Sequence, residues 1–166
     1  MRRILALVVL IGFAHVVVRA ETDALSSLGF LIGDWQAVDT PPGESGAFTF
    51  KLAVQDHIMV RTNEATYAAT AERPASRHDD LLVIYSERGS LRADYFDSEG
   101  HIIHYAVRPQ NANVVVFVSD LSPNEPRYRL TYSVAADGVL RGSFEIASPA
   151  APDTFKSYLS WKARKR

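Results

Sequence analysis

The chain has 166 residues, 47% of them hydrophobic, with 18 Lys and Arg against 19 Asp and Glu and no cysteine. The missing cysteine excludes disulfides, a thiol nucleophile and a lipidated-cysteine anchor. A net charge of −1 offers no electrostatic footprint for nucleic acid, so no such partner is expected.

Arg2 and Arg3 precede an apolar run from Ile4 to Val18 that is broken only by Gly12 and His15. Val18-Arg19-Ala20 then supplies small or modest side chains where a signal peptidase reads. The run is shorter than the about 20 residues of a membrane-spanning helix, and Glu21, Thr22 and Asp23 follow it without a second basic flank. Residues 1–20 therefore read as a signal peptide, and 21–166 as one domain exported to the periplasm or secreted, with no stable membrane span. Cleavage would remove three arginines and no acid, leaving an acidic mature chain. A domain of this size buries roughly 70% of its unfolded surface and needs no covalent staple.

One stretch reads as helix: Asp23 as cap, then Leu25, Leu28 and Ile32 at helical spacing, ended by Gly33. Asp34-Trp35 begins the first strand, and everything beyond reads as strand and turn. Phe48, Phe50, Leu52 and Val54 alternate with polar or small residues, as do Ile58, Val60 and Thr62. Further strands are expected over Leu81 to Tyr85, Leu91 to Tyr95, Ile103 to Val107, Asn113 to Ser119, Arg127 to Val134, Leu140 to Ile146 and Phe155 to Trp161. Short turns with glycine separate several of them, at Glu87-Arg88-Gly89-Ser90, Asp97-Ser98-Glu99-Gly100 and Ala136-Asp137-Gly138. Two connections look longer, Ala68 to Asp80 and Asp120 to Pro126. The basic tail Lys162 to Arg166 reads as a solvated, frayed terminus. About nine or ten short strands joined by hairpins, entered by one short helix, predict an all-β, antiparallel up-and-down barrel in preference to a sandwich.

The run Phe30-Leu31-Ile32-Gly33-Asp34-Trp35 puts a short helix into Gly-x-Trp on the first strand. That opening resembles lipocalins, fatty-acid-binding proteins and nitrobindin-like barrels, in which the tryptophan packs across the closed end. Looser matches at Val60 to Ala69, His78 to Tyr85, Tyr95 to Tyr105, Arg127 to Tyr132 and Lys156 to Trp161 make the chain similar to a group of exported bacterial calycin-like (lipocalin-like) proteins. The resemblance implies the barrel and brings no activity. The nitrobindin branch would imply haem, but Ala37 and Asp39 stand where its opening has further glycines, and no histidine can be assigned as the ligand. No cofactor is therefore expected, haem being the one that the likeness would bring.

No phosphate-cradling glycine loop and no Gly-x-Ser-x-Gly elbow is present. His101 and His104 are three apart and point to opposite faces of a strand. His78-Asp79-Asp80 reads as a solvated loop rather than a zinc site, since zinc needs three or four fixed ligands. The informative residues are polar groups within strands: Arg61, Asn63 and Glu64 in one, Arg108 and Arg129 in others, with hydroxyls from Tyr85, Tyr95, Tyr105 and Tyr132. Either alternating set could face inward. If Arg61 and Asn63 do, the guanidinium needs a buried partner, and a ligand carboxylate would serve. Trp35, Phe48, Phe50, Tyr132, Phe144 and Trp161 fill the core on the plainest reading.

These residues lead first to a binding module, a barrel holding a small apolar or amphipathic molecule near Arg61, Asn63, Tyr85, Tyr95, His104 and Tyr132. The alternative that the calycin likeness implies is a small isomerase- or decarboxylase-type enzyme using Arg61, Glu64, Tyr95 and His104. A third is a packed structural barrel with no ligand.

Overall fold

In the computed structural model, which describes residues 24–71 and 73–166, the chain enters the fold through an apolar turn. The signal segment 1–20 and the Asp23 cap lie outside the described residues. The entry has a period of three. Leu28 N–H bonds Leu25 O at 2.9 Å and Leu31 N–H bonds Leu28 O at 3.0 Å, and Gly29–Leu31 is a 3-10 turn. Side chains three apart eclipse in that geometry, so Leu25, Leu28 and Leu31 are the buried set. The expected third contact, Ile32, is only half-buried. Trp35 follows on the first strand, 1% exposed, its indole N–H donating to Leu31 O at 2.7 Å. Lys165 covers the other side, its ammonium 5.2 Å from the ring centroid.

Ten strands follow: β1 (Gly33–Val38), β2 (Glu44–Ala53), β3 (Ile58–Tyr67), β4 (Ser76–Glu87), β5 (Ser90–Asp97), β6 (Ile102–Asn111), β7 (Val114–Ser119), β8 (Arg127–Val134), β9 (Leu140–Ala147) and β10 (Lys156–Lys165). Each pairs antiparallel with its neighbours in sequence, and β1 pairs with β10 to close the barrel. The protein is thus an all-β, up-and-down barrel with one short helical turn, as the hairpin pattern predicts.

Two expectations are corrected. The basic tail is not frayed: Lys162 to Lys165 pair with Val38 to Trp35 and form the closing seam. Alternation makes this possible, because Ala163 is buried while Lys162 and Arg164 point out, Lys162 reaching Asp39 at 3.0 Å. The long connection from Ala68 is also shorter than it reads. β4 begins at Ser76, so His78, Asp79 and Asp80 lie on a strand rather than a loop.

Aromatic side chains fill the middle of the barrel. Tyr132 on β8 is fully buried and meets Phe50 and Phe48 on β2, Phe117 on β7 and Trp161 on β10, with ring centroids 5.4 to 6.4 Å apart. Contacts that reach from β2 to β8 cross the interior. The end where β1 begins is stoppered by Leu25, Leu28 and Leu31, which belong to the same apolar cluster. The outer wall carries ion pairs such as Arg77–Glu64, Arg129–Glu145 and Arg141–Asp137, unlike the apolar band of a lipid-facing barrel. No helix among the described residues is long and apolar enough to cross a membrane.

Trp161 lies flat over its cross-strand partner Gly142, where an added Cβ would stand 2.1 Å from the ring. Gly142→Ala must displace Trp161 from Tyr132. It is expected to cost about 1–3 kcal/mol in a denaturant titration, with a shift in tryptophan emission; unchanged stability would contradict this packing.

Candidate functional site

Parity along each strand decides which side chains share the interior. On β3 the inward set is Met59, Arg61 and Asn63. On β4 it is His78, Asp80, Leu82 and Ile84, on β5 Leu91, Ala93 and Tyr95, and on β8 Leu130 and Tyr132. Of the residues singled out in the sequence, the structure brings Arg61, Asn63, Tyr95 and Tyr132 together inside.

Tyr85 and His104 do not join them. Tyr85 alternates with the buried Leu82 and Ile84 and His104 with the buried Tyr105, so both project from the outer wall. There they share Asp94: Tyr85 OH donates to Oδ2 at 3.1 Å, and His104 Nδ1 lies 2.6 Å from Oδ1. Glu64 also faces out, paired with Arg77 at 2.8 Å. The four residues weighed as a catalytic set are therefore split, Arg61 and Tyr95 inside, Glu64 and His104 outside.

The interior polar group centres on Arg61, which is 5% exposed. Its Nη1 donates to the Tyr132 hydroxyl and its Nη2 to Asp80 Oδ1. Asp80, with its side chain 4% exposed, is the partner that a buried guanidinium requires. Its second oxygen accepts from Asn63 Nδ2 at 2.9 Å and lies 3.3 Å from His78 Nε2. The His78 ring continues outward, with Nδ1 2.8 Å from Glu99 and Nε2 3.3 Å from Tyr95 OH. A chain of polar contacts thus leads from the centre of the barrel to the rim opposite the apolar stopper.

The electrostatics follow from burial and pairing. Burial works against the Arg61 charge, but the Tyr132 oxygen and the Asp80 carboxylate outweigh it and hold the group protonated. Burial pushes the Tyr132 phenol up to about 12 and raises Tyr95 and Tyr105 as well, so all three stay neutral O–H donors. His78 is pulled down by burial, yet the bond to Glu99 and the charges of Glu99 and Asp80 leave it raised.

Asp80, His78 and Glu99 were not singled out as site residues by sequence. The signal was present: His78, Asp80, Leu82 and Ile84 form one period-two face, but its polar first half reads as loop. Asp97, Glu99 and His101 also approach one another closely enough to hold a metal ion. The Asp97 and His101 side chains serve the β5–β6 turn instead, and the Glu99 carboxylate is turned to His78. Asp97 Oδ1 accepts the N–H groups of Glu99 and His101 at 3.1 and 2.8 Å, and its Oδ2 meets His101 Nδ1 at 2.8 Å.

Across the barrel, the same rim is aromatic. Tyr128 on β8 stacks on Phe144 of β9 at 5.7 Å and 12°, and Phe144 meets Tyr158 edge-on at 6.2 Å. Tyr158 is the extra residue at a register shift in β10 and is 72% exposed. A broad concavity of about 830 Å3 lies elsewhere, lined mostly by outward residues of β1 to β5 such as Thr49, Thr62, Leu81 and Phe96.

No protein-family model and no curated protein matches the chain. The functional reading therefore stands on this geometry.

A group whose pKa is raised on folding adds stability below its unfolded value, about 6.5 for histidine, and loses it as pH rises through the folded value. The His78 contribution should accordingly be present at pH 5 and absent by pH 9. Denaturation of the wild type and His78→Gln across that range should give a difference that shrinks with rising pH. It should stay within about 1 kcal/mol, because the imidazole is partly exposed and screened. A difference that grows with pH would contradict the assignment.

Proposed function

We propose that the protein is an exported, calycin-like binding protein that holds a small amphipathic molecule at the open end of its barrel. One observation carries this reading: the rim has two unlike walls. Asn63, His78, Asp80, Tyr95 and Glu99 on β3 to the β5–β6 turn supply polar contacts, while Tyr128, Phe144 and Tyr158 on β8 to β10 supply aromatic faces. In the closed order of ten strands, β4 and β9 stand five strands apart, on opposite sides. A molecule with one polar and one apolar end can satisfy both walls at once. The aromatic cluster around Tyr132 fills the middle of the barrel, which favours a ligand that enters at the rim and follows the polar chain from Glu99 and His78 toward Asp80 and Arg61.

The enzymatic alternative receives less support, because its four residues are divided between the two faces of the wall. The packed middle favours a ligand-free barrel as the second reading, and one titration separates the two. 1-Octanol followed by calorimetry should bind the mature chain. Tyr158→Ala should weaken it by about tenfold, in keeping with loss of an aromatic contact, and Phe96→Ala on the outer wall should leave it unchanged. No binding, or dependence on Phe96 instead of Tyr158, would overturn the rim as the site. Export has its own measurement. Mass spectrometry of the protein recovered from an exporting host should give a chain beginning at Glu21, and a chain retaining Met1 would contradict it.

A further inference from the structure

Among the described residues, one buried side-chain polar atom is left without a hydrogen bond. Arg61 Nε is buried and makes no hydrogen bond, whereas both terminal nitrogens are engaged. A guanidinium ordinarily presents Nε and one terminal nitrogen to the two oxygens of one carboxylate. Asp80 does not complete that fork. It gives only Oδ1 to Arg61 and turns Oδ2 to Asn63 and His78. The Tyr132 hydroxyl already accepts from Arg61, so its own proton is aimed elsewhere. Tyr105, 1% exposed, brings a further neutral phenol under the influence of the same Arg61 and Asp80 charges. Asp80 already accepts from Arg61 and Asn63 and lies beside His78, while Arg61 Nε–H keeps a proton to give. A buried donor with no acceptor is costly and rare in folded proteins.

We infer that the ligand's polar end is an uncharged acceptor oxygen, a carbonyl of ester, ketone or amide type, which receives the Nε–H of Arg61. This rests on the binding reading above and deepens it. An acceptor is required because the buried atom without a partner is an N–H donor. The acceptor is uncharged because the Arg61 charge is already matched by Asp80, so a second buried anion would meet the Asp80 carboxylate without a free cation. The head enters along the polar wall, past Glu99 and His78 to Asp80 and Arg61, and the tail lies back against Phe144 and Tyr158.

Four probes built on the same eight-carbon chain test this on the mature chain: methyl octanoate, octanoate, octylammonium and 1-octanol. Methyl octanoate should bind at least about tenfold tighter than octylammonium, which only donates, and than octanoate at pH 8, which is charged. In nitrogen-15 NMR of the wild type, the Arg61 Nε–H resonance should move downfield with methyl octanoate. Arg61→Met with Asp80→Asn removes the charges as a pair and should collapse the preference for the ester. Should that double variant not fold, Tyr105→Phe, which deletes a donor and keeps the ring, should narrow the same preference. Equal affinity for methyl octanoate and octylammonium, tighter binding of octanoate, or an unmoved Nε–H resonance would overturn the inference. In each case retained 1-octanol binding would leave the rim reading standing. Absence of binding by every probe would remove both.

Discussion

The pairing of β1 with β10 is the contact on which the rest of the barrel depends. Every other strand pair joins neighbours in sequence, but this one brings Trp35 opposite Lys165. Without it the meander would be an open sheet with two edges, each a row of unpaired backbone donors and acceptors. Closure costs the entropy of a loop nearly as long as the domain, a term that grows only slowly with length. The cost is offset at the seam by burial. Trp35 and Ala163 lie on its inner side, Trp35 stacks on Phe48 at 6.3 Å, and the Lys165 ammonium lies over the indole ring.

Closure also fixes what the interior can contain. Once the sheet is a cylinder, every second residue is committed to a narrow space, and a single shift in register would exchange the two sets. On β3 the committed set brings Arg61 in, and the charge must then be met inside. Asp80 meets it from β4, one strand away, in a diagonal relation set by the register in which Arg61 faces Leu82 and Asn63 faces Asp80. The ion pair is therefore a consequence of strand register, and its removal as a pair is a smaller perturbation than removal of either member. The aromatic cluster is built by the same rule from β2, β7, β8 and β10.

Much of the fold was legible in the sequence because its signals are local. Alternation gives strands, glycine turns give hairpins, and hairpins in series give a meander. The errors fall where a strand's polar residues hide it. Lys162 to Lys165 read as tail because three of the four residues are charged, although strand pairing accepts charge on the outer face. Ser76 to Asp80 read as loop for the same reason. The candidate site was less legible, since it depends on parity across several strands. Arg61, Asn63, Tyr95 and Tyr132 were found by type, and their inward direction was fixed only by the strands beside them. Asp80 and His78 were hidden by the misplaced start of β4. Tyr85 and His104 share the residue types of the site and lie on the other face, a distinction that composition does not carry.

The entry turn adds a final constraint. Its three-residue period places Leu25, Leu28 and Leu31 over one end of the barrel, and the Trp35–Leu31 hydrogen bond ties that stopper to the first strand. Polarity can then vary along the axis in one direction only. Beside the stopper the interior is apolar, in the middle it is aromatic with a neutralised ion pair, and at the far rim it divides into a polar and an aromatic wall. A solvent-exposed Tyr158 and a partly exposed His78 stand at the end of that gradient. Among the described residues, charge and aromatic surface therefore coincide at the end of the barrel opposite the N-terminal turn.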